Sequence, residues 1–214
     1  YVPDFYQGIE AFSVEMRNFS LSPTSLPLHS EEKTHLELPI GQLSATRTFS
    51  AISLGNPHLI ALVDKVDLAE LKAVGENANR AKDILPEGAN VSFCQPLGGQ
   101  NVYVGTYERG AGLTNSCGTG MSASTLAACL AQKVAFNDWV NVYNAGGMVK
   151  CKGVEKDGKL SVYLLGNATY TFSASVEIDF ENSANYEVLT QIYFPEEEKA
   201  YLGLKKEALA SLKV

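Results

Sequence analysis

The stretch Tyr107-Glu108-Arg109-Gly110-Ala111-Gly112-Leu113-Thr114-Asn115-Ser116-Cys117-Gly118-Thr119-Gly120 gathers the residue types that acid–base chemistry needs. A carboxylate and a guanidinium stand at the end of a β-rich run. A glycine-containing loop follows, and then a cysteine at the start of a run that reads as helix. The first turn of a helix offers unpaired backbone N–H groups and the positive end of the dipole. Such a position is expected to lower a thiol pKa and to welcome a carboxylate. Gly118 and Gly120 leave room for a ligand to approach the backbone without a Cβ in the way. The competing reading of Cys117 is a small core hydrophobe, the usual place of a free cysteine. Glu108, Arg109 and the flanking glycines turn the reading toward chemistry. Cys94 and Cys151 fall on strand-like runs and Cys129 inside the helical run, so these three read as structural.

A second run that could carry chemistry is Gly55-Asn56-Pro57-His58, between two apolar segments. Pro57 is expected to fix the turn, and Asn56 offers both a donor and an acceptor. Taken alone this is an ordinary turn with a satisfied surface histidine. Of the histidines His29, His35 and His58, only the last is locked between two strands by a rigid turn, which makes it the candidate for proton handling.

These groups need a scaffold, and most of the chain reads as short strands. Their Val, Ile, Tyr, Phe and Thr content and their Gly, Pro and Asn punctuation place them at residues 9–17, 35–40, 46–53, 59–63, 90–94, 101–107, 139–143, 148–154, 160–165 and 170–180. Three runs read as helices. Residues 67–79 carry Leu68, Leu71, Val74 and Ala78 at helical spacing, with Asp67 as a possible cap. Residues 196–212 follow Pro195 with acidic residues in the first turn and a modest face of Ala200, Leu204 and Ala208. Residues 119–132 form the third, within a stretch from 110 to 132 that holds no Asp, Glu, Lys or Arg. A helix that is small or apolar all round must be buried all round. The implied fold class is α+β, a mostly antiparallel curved sheet wrapped around a central helix.

Bulk composition narrows the functions available. The chain has 214 residues, 45% hydrophobic and 19% charged, enough to bury a core as one large domain or two small ones. A net charge of −7 without basic runs argues against nucleic acid and anionic membranes as partners. No apolar run is long enough to span a bilayer. The four cysteines match no zinc spacing. Cys129 falls roughly 18 Å along a helix axis from Cys117, too far for a bond. Reduced thiols and a cytoplasmic location are expected. The opening Tyr1-Val2-Pro3-Asp4-Phe5-Tyr6 is neither a signal nor a transit peptide and has no starting Met, which points to a piece of a longer protein or a trimmed product.

The order of the motifs resembles that of diaminopimelate epimerases. Gly55-Asn56-Pro57-His58, Asn90-Val91-Ser92-Phe93, Glu108-Arg109-Gly110-Ala111-Gly112 and Cys117-Gly118-Thr119-Gly120 carry the resemblance. Val14-Glu15-Met16, Pro23, Pro27 and Gly166 add to it, over about residues 9–180. The resemblance implies one half of a two-part fold, a half-barrel of mostly antiparallel sheet around a helix, with substrate held between the halves. Each half supplies a cysteine. One removes the α-proton as thiolate and the other protonates the opposite face, interconverting LL- and meso-diaminopimelate for lysine and cell-wall precursor biosynthesis, without pyridoxal phosphate or metal. Carried over by position, Cys117 is the second-half cysteine. His58 and Glu108 are the residues that assist proton transfer. Asn56, Asn90, Glu108, Arg109, Gly118 and Thr119 hold the substrate. The physical chemistry fits: helix N-termini supply fixed positive potential where negative charge grows, and a dry site strengthens it.

The resemblance covers only the second half, so the chain is expected to be inactive alone, to need the missing N-terminal half as a partner, and to self-associate as a homodimer through exposed edges. The expected division is a domain over residues 1–180, with strands at its ends that join the halves, and an extra tail over 181–214. Proline racemases and hydroxyproline epimerases also place Cys-Gly-Thr-Gly at a helix start but lack the other motifs. A non-catalytic domain that keeps the fold is the remaining alternative. Cys117 is expected to be the most reactive thiol and to remain free.

Overall fold

A computed structural model describes residues 1–6, 9–17 and 19–212. In chain order the strands and helices are β1 (Val2–Tyr6), β2 (Ile9–Met16), β3 (Phe19–Ser20), β4 (Leu38–Pro39), β5 (Thr48–Leu54), β6 (Pro57–Leu62), α1 (Leu68–Arg80), β7 (Asn90–Pro96), β8 (Asn101–Glu108), β9 (Gly112–Thr114), α2 (Gly118–Leu130), β10 (Val140–Asn144), β11 (Gly147–Lys156), β12 (Lys159–Asn167), β13 (Phe172–Ile178), β14 (Tyr186–Tyr193) and α3 (Pro195–Ser211). The fold is mixed α+β, with a large, mostly antiparallel sheet and three helices among the described residues. None of these helices is long and apolar enough to cross a membrane.

Two compact units divide the chain: Ser13–Gly166, and Tyr1–Phe12 with Asn167–Val214. In the larger unit the sheet runs β2-β12-β11-β10-β8-β7-β6-β5-β3, with β4 on β5 and β9 on β8. The β6–β7 and β8–β10 pairs are parallel. The parallel pairs need crossovers, and the two longest helical runs of the unit supply them: α1 lies between β6 and β7, and α2 between β8 and β10.

Alternation along β5 to β8 decides which helix each side chain meets. Ile52, Ile60, Cys94 and Val104 belong to a core with α2 residues such as Leu126. Their neighbours Ala51, Leu59, Phe93 and Val91 belong to a second core with Leu71 and Val74 of α1. The period of two thus gives one sheet two buried faces. α2 packs against β5, β6, β7, β8, β10 and β11. Every residue from Gly120 to Cys129 is buried, as an uncharged helix requires.

α1 begins where expected. Asp67 Oδ1 accepts from the backbone N–H groups of Ala69 and Glu70 at 2.8 and 3.1 Å. Leu71, Val74, Gly75 and Ala78 form its buried stripe. Glu70 receives two hydrogen bonds from Arg47, at 2.7 and 2.8 Å. The lack of a side chain at Gly75 admits the Tyr107 ring against the helix.

Several expectations are corrected. The run 35–40 forms a ladder only at Leu38–Pro39: the His35 carbonyl still accepts from Ala51 N–H of β5 at 2.7 Å, but Glu37 between them takes a left-handed φ of 51° that breaks the strand. Pro57 does not make the turn after β5. It is the first residue of β6, and the turn is Gly55-Asn56, with Gly55 at φ 88°. The glycine loop after Glu108 is a tight hairpin that returns as β9.

In the smaller unit β1 pairs with the start of β2. β13 pairs antiparallel with β14, a strand inside residues 181–214 where only a helix was expected. Both faces of this two-stranded sheet are exposed, including Phe172, Ile178, Val188 and Ile192. Pro195 opens α3 at its first turn, and Leu204 and Ala208 are buried.

Candidate active site

The same alternation that builds the α2 core lines up polar groups at its N-terminal end. His58, Asn90, Ser92, Thr106 and Glu108 continue the α2-facing rows of β6, β7 and β8. His58 pairs across the sheet with Asn90, and Ser92 with Thr106. Cys117 is the N-cap of α2, in extended conformation at φ −138° and ψ 106°. Its carbonyl accepts from Met121 N–H at 2.9 Å, so the N–H groups of Gly118, Thr119 and Gly120 lie in the first turn, beside the thiol.

Four separate segments meet here. Thr119 Oγ1 lies 3.7 Å from Cys117 Sγ. Asn56 Nδ2 donates to Thr119 Oγ1 at 3.2 Å. Asn56 Oδ1 lies 3.0 Å from His58 Nε2 and, as an acceptor, fixes the proton on that nitrogen. His58 therefore reaches the thiol through Asn56 and Thr119. The Glu108 carboxylate lies near enough for its charge to raise the thiol pKa, and Thr114 Oγ1 donates to Glu108 Oε1 at 2.6 Å. Asn90 Oδ1 accepts from Arg109 N–H at 2.8 Å and so ties the end of β8 to β7.

The Arg109 guanidinium is not brought to the thiol. It donates to the Glu87 carbonyl at 2.9 Å, because the residue after Glu108 faces the other side of the strand. Gly118 leaves open space near Leu164, where a Cβ would sit at ordinary contact distance, 3.5 Å.

The expected lowering of the Cys117 pKa is overturned. The thiol is 8% exposed, and burial pushes its pKa up. Gly120 N–H and Thr119 hydroxyl oppose the rise, and the Glu108 charge adds to it. The other thiols lie deeper, and burial pushes Cys94 and Cys151 up to about 12 and Cys129 to about 11. All four cysteines are free.

Sequence reading did not single out Ser92, Thr106, Thr114, Ser116 or Asn144. Asn144 Nδ2 donates to Ser116 Oγ at 3.2 Å, and Gly146 N–H donates to the Asn115 carbonyl at 2.8 Å. The β10–β11 turn thereby clamps the two residues that precede Cys117. Among the described residues no group of three or more His, Cys, Asp and Glu is placed to hold a metal ion.

His58 is fully buried, and burial lowers its pKa from 6.5 to about 4. Between these values the unfolded chain binds a proton that the folded chain does not, so acid favours unfolding. The stability contributed by the neutral ring is whole above the unfolded value and drains as pH falls toward the folded one. Going from pH 7 to pH 4.5 is expected to remove about 2–3 kcal/mol on this account. Urea unfolding of the wild-type chain and of His58→Gln at both pH values measures it: the variant loses that part of the slope, and equal slopes would contradict the assignment.

The geometry defines a buried thiol–carboxylate centre at a helix mouth on an α+β scaffold. Comparison with known proteins names the family. The diaminopimelate epimerase family model matches residues 50–171, more than half of the chain, and the chain belongs to that family. It is 39% identical over 178 residues to a diaminopimelate epimerase of Clostridium acetobutylicum, covering 82% of this chain and 53% of that protein. It is 35% identical over 208 residues to one from Listeria monocytogenes, covering 96% and 62%. An alignment that takes in 96% of the chain necessarily includes most of residues 181–214. A probable proline racemase from Agrobacterium radiobacter K84 superposes with a TM-score of 0.49 at 19% identity, over 74% of this chain and 51% of the other. The chain spans about half to three-fifths of the length of these curated relatives.

Proposed function

We propose that this chain is the second half of a cofactor-independent amino-acid epimerase that interconverts LL- and meso-diaminopimelate, a step toward lysine and cell-wall precursors in the cytoplasm. The observation that carries the reading is that Thr119 meets the Cys117 thiol, Asn56 reaches Thr119 from a separate segment and the Glu108 charge lies near the thiol, at the mouth of a helix whose first-turn N–H groups are at hand.

In this reading Cys117 exchanges a proton with the substrate α-carbon on one face, and the missing N-terminal half supplies a second cysteine for the other. A raised thiol pKa suits the donor half of the cycle, when the thiol must arrive protonated. Glu108 lies next to the thiol and takes up or returns its proton. His58, neutral and buried, holds Asn56, and Asn56 holds Thr119. Asn56, Asn90, Gly118 and Thr119 receive the substrate's polar groups, with its carboxylate against the α2 N-terminus. Arg109 binds a more remote carboxylate after leaving Glu87.

Residues 1–180 form the second-half domain, its sheet curved around α2 and its end strands reaching toward the absent half. Residues 181–214 extend it. The exposed β13–β14 faces favour self-association, with a homodimer as the simplest closed form.

The test is exchange of the substrate α-proton in deuterated water, measured on the full-length protein and on this chain. Full-length protein is expected to exchange and racemise, and this chain to do neither. Racemisation by the chain alone would overturn the half-site reading.

A further inference from the structure

Cys117 opens α2 without anchoring it. In α1 the N-cap Asp67 ties down the first turn with its own carboxylate, whereas the Cys117 side chain makes no such cap bond. A thiol kept for proton transfer is not free for that task. Its place still depends on where the chain enters the helix, so the anchor has to come from another element.

β10 supplies it. Val140 and Val142 lie in the α2 core, and the strand's period of two brings Asn144 next in the same row. A third apolar residue would continue that core. Asn144 is instead an amide, 4% exposed. Its Nδ2 carries two protons and has two partners, Ser116 Oγ at 3.2 Å and Met121 Sδ. Its Oδ1 accepts from Gly146 N–H at 2.9 Å, the same N–H that donates to the Asn115 carbonyl. Ser116 immediately precedes Cys117. Met121 closes the first turn, its N–H donating to the Cys117 carbonyl at 2.9 Å. One buried amide therefore holds a residue on each side of the thiol.

We propose that Asn144 is a positioning residue for Cys117: it acts through Ser116 and Met121 to fix the entry of the chain into α2, and with it the place of the sulfur. Burying an amide costs desolvation that a valine or leucine would not incur. Its hydrogen bonds offset that cost, and what they add over an apolar side chain is a fixed geometry at the helix start. Leucine at this position would fill a similar volume and extend the core while holding neither Ser116 nor Gly146 by a hydrogen bond.

The proposal rests on the reading of Cys117 as a proton-transfer group, and its test has one arm that does not. In this chain the rate of iodoacetamide alkylation of each cysteine is followed by peptide mass spectrometry. The buried Cys117 thiol reacts through local opening, and Asn144→Leu is expected to speed its alkylation roughly fivefold while Cys94, Cys129 and Cys151 keep their wild-type rates. Ser116 is exposed, so Ser116→Ala leaves the core intact. It is expected to shift Cys117 in the same direction by a smaller factor, and it carries the test where Asn144→Leu fails to fold. Ser116→Thr keeps the hydroxyl and is expected to behave like the wild type. In the full-length protein Asn144→Leu is expected to lower kcat by roughly 10–10²-fold with KM nearly unchanged. α-Proton exchange should slow from the isomer whose proton faces Cys117 and persist from the other. Unchanged alkylation of Cys117, or equal acceleration of all four thiols, overturns the proposal. So does an equal loss of exchange from both isomers, which would assign the effect to general loosening. A wild-type full-length protein that does not epimerise would count against the functional reading alone, and the alkylation rates would still decide whether Asn144 places the thiol.

Discussion

Replacing Cys117 by alanine in the full-length protein is expected to reduce epimerisation by about a thousandfold or more. Positioned proton transfer contributes roughly 10²–10⁴ to rate, and no other described group stands in the thiol's place. Glu108 is turned toward Thr114 by a 2.6 Å hydrogen bond, and His58 reaches the site only through Asn56 and Thr119. The substitution removes a single sulfur atom at the edge of the core, so the fold should survive, and circular dichroism checks that it does. Following α-proton exchange from each stereoisomer separately gives the effect its direction. On the proposed two-cysteine reading, the isomer whose proton faces the other cysteine can still lose it, whereas the one that faces Cys117 cannot. Equal exchange from both isomers at the wild-type rate would remove Cys117 from the mechanism.

The largest expected effect on stability is at Phe93. Its ring is fully buried between the sheet and α1, with the Arg47 guanidinium 5.8 Å from its centroid. Phe93→Ala is expected to cost about 3–5 kcal/mol, the lost transfer energy plus the cavity left in a packed layer. That is a large part of the roughly 5–15 kcal/mol that holds a domain together. Leu202→Ala, at a position 53% exposed on α3, is the comparison and is expected to change stability by no more than about 0.5 kcal/mol. Urea denaturation at neutral pH separates the two. A Phe93→Ala chain with a wild-type midpoint would mean that the α1 layer is not part of the cooperative core.

The helices were the most legible part of the chain because each carries its own punctuation. Asp67 and Pro195 mark starts, and the uncharged run through α2 states its burial outright. The site motifs were legible too, since Glu108, Asn56 and Cys117 lie beside turns that glycine marks. What escaped depended on pairing and backbone conformation rather than on composition. β9 is three residues long and exists only because β8 is there to pair with it. β14 is rich in β-formers, but its place beside β13 is a matter of pairing. The run through His35 is interrupted by Glu37 in a left-handed conformation, which composition does not announce. The thiol's ionisation was misjudged for a related reason: a helix mouth is visible in sequence, but the depth at which it lies and the carboxylate folded against it are not. Ser92 and Thr106 were within reach, because counting by two from Asn90 and back from Glu108 lands on them.

That counting rule has a consequence for how the protein can change over generations. β7 and β8 are each read in two frames. One frame spells Asn90, Ser92 and Cys94, or Val104, Thr106 and Glu108, and belongs to the site and the α2 core. The other spells Val91 and Phe93, or Gly105 and Tyr107, and belongs to the layer under α1. A single-residue insertion or deletion within either strand exchanges the frames. It would drive Glu108 or Ser92 under α1 and a phenylalanine or tyrosine ring into the thiol pocket. The lineage of such a strand is therefore confined to substitutions, and length variation is pushed out to the loops beyond Pro96 and before Asn90. An alignment of relatives should show β7 and β8 as gap-free blocks even where their residues differ, with the gaps gathered where neither frame is being read.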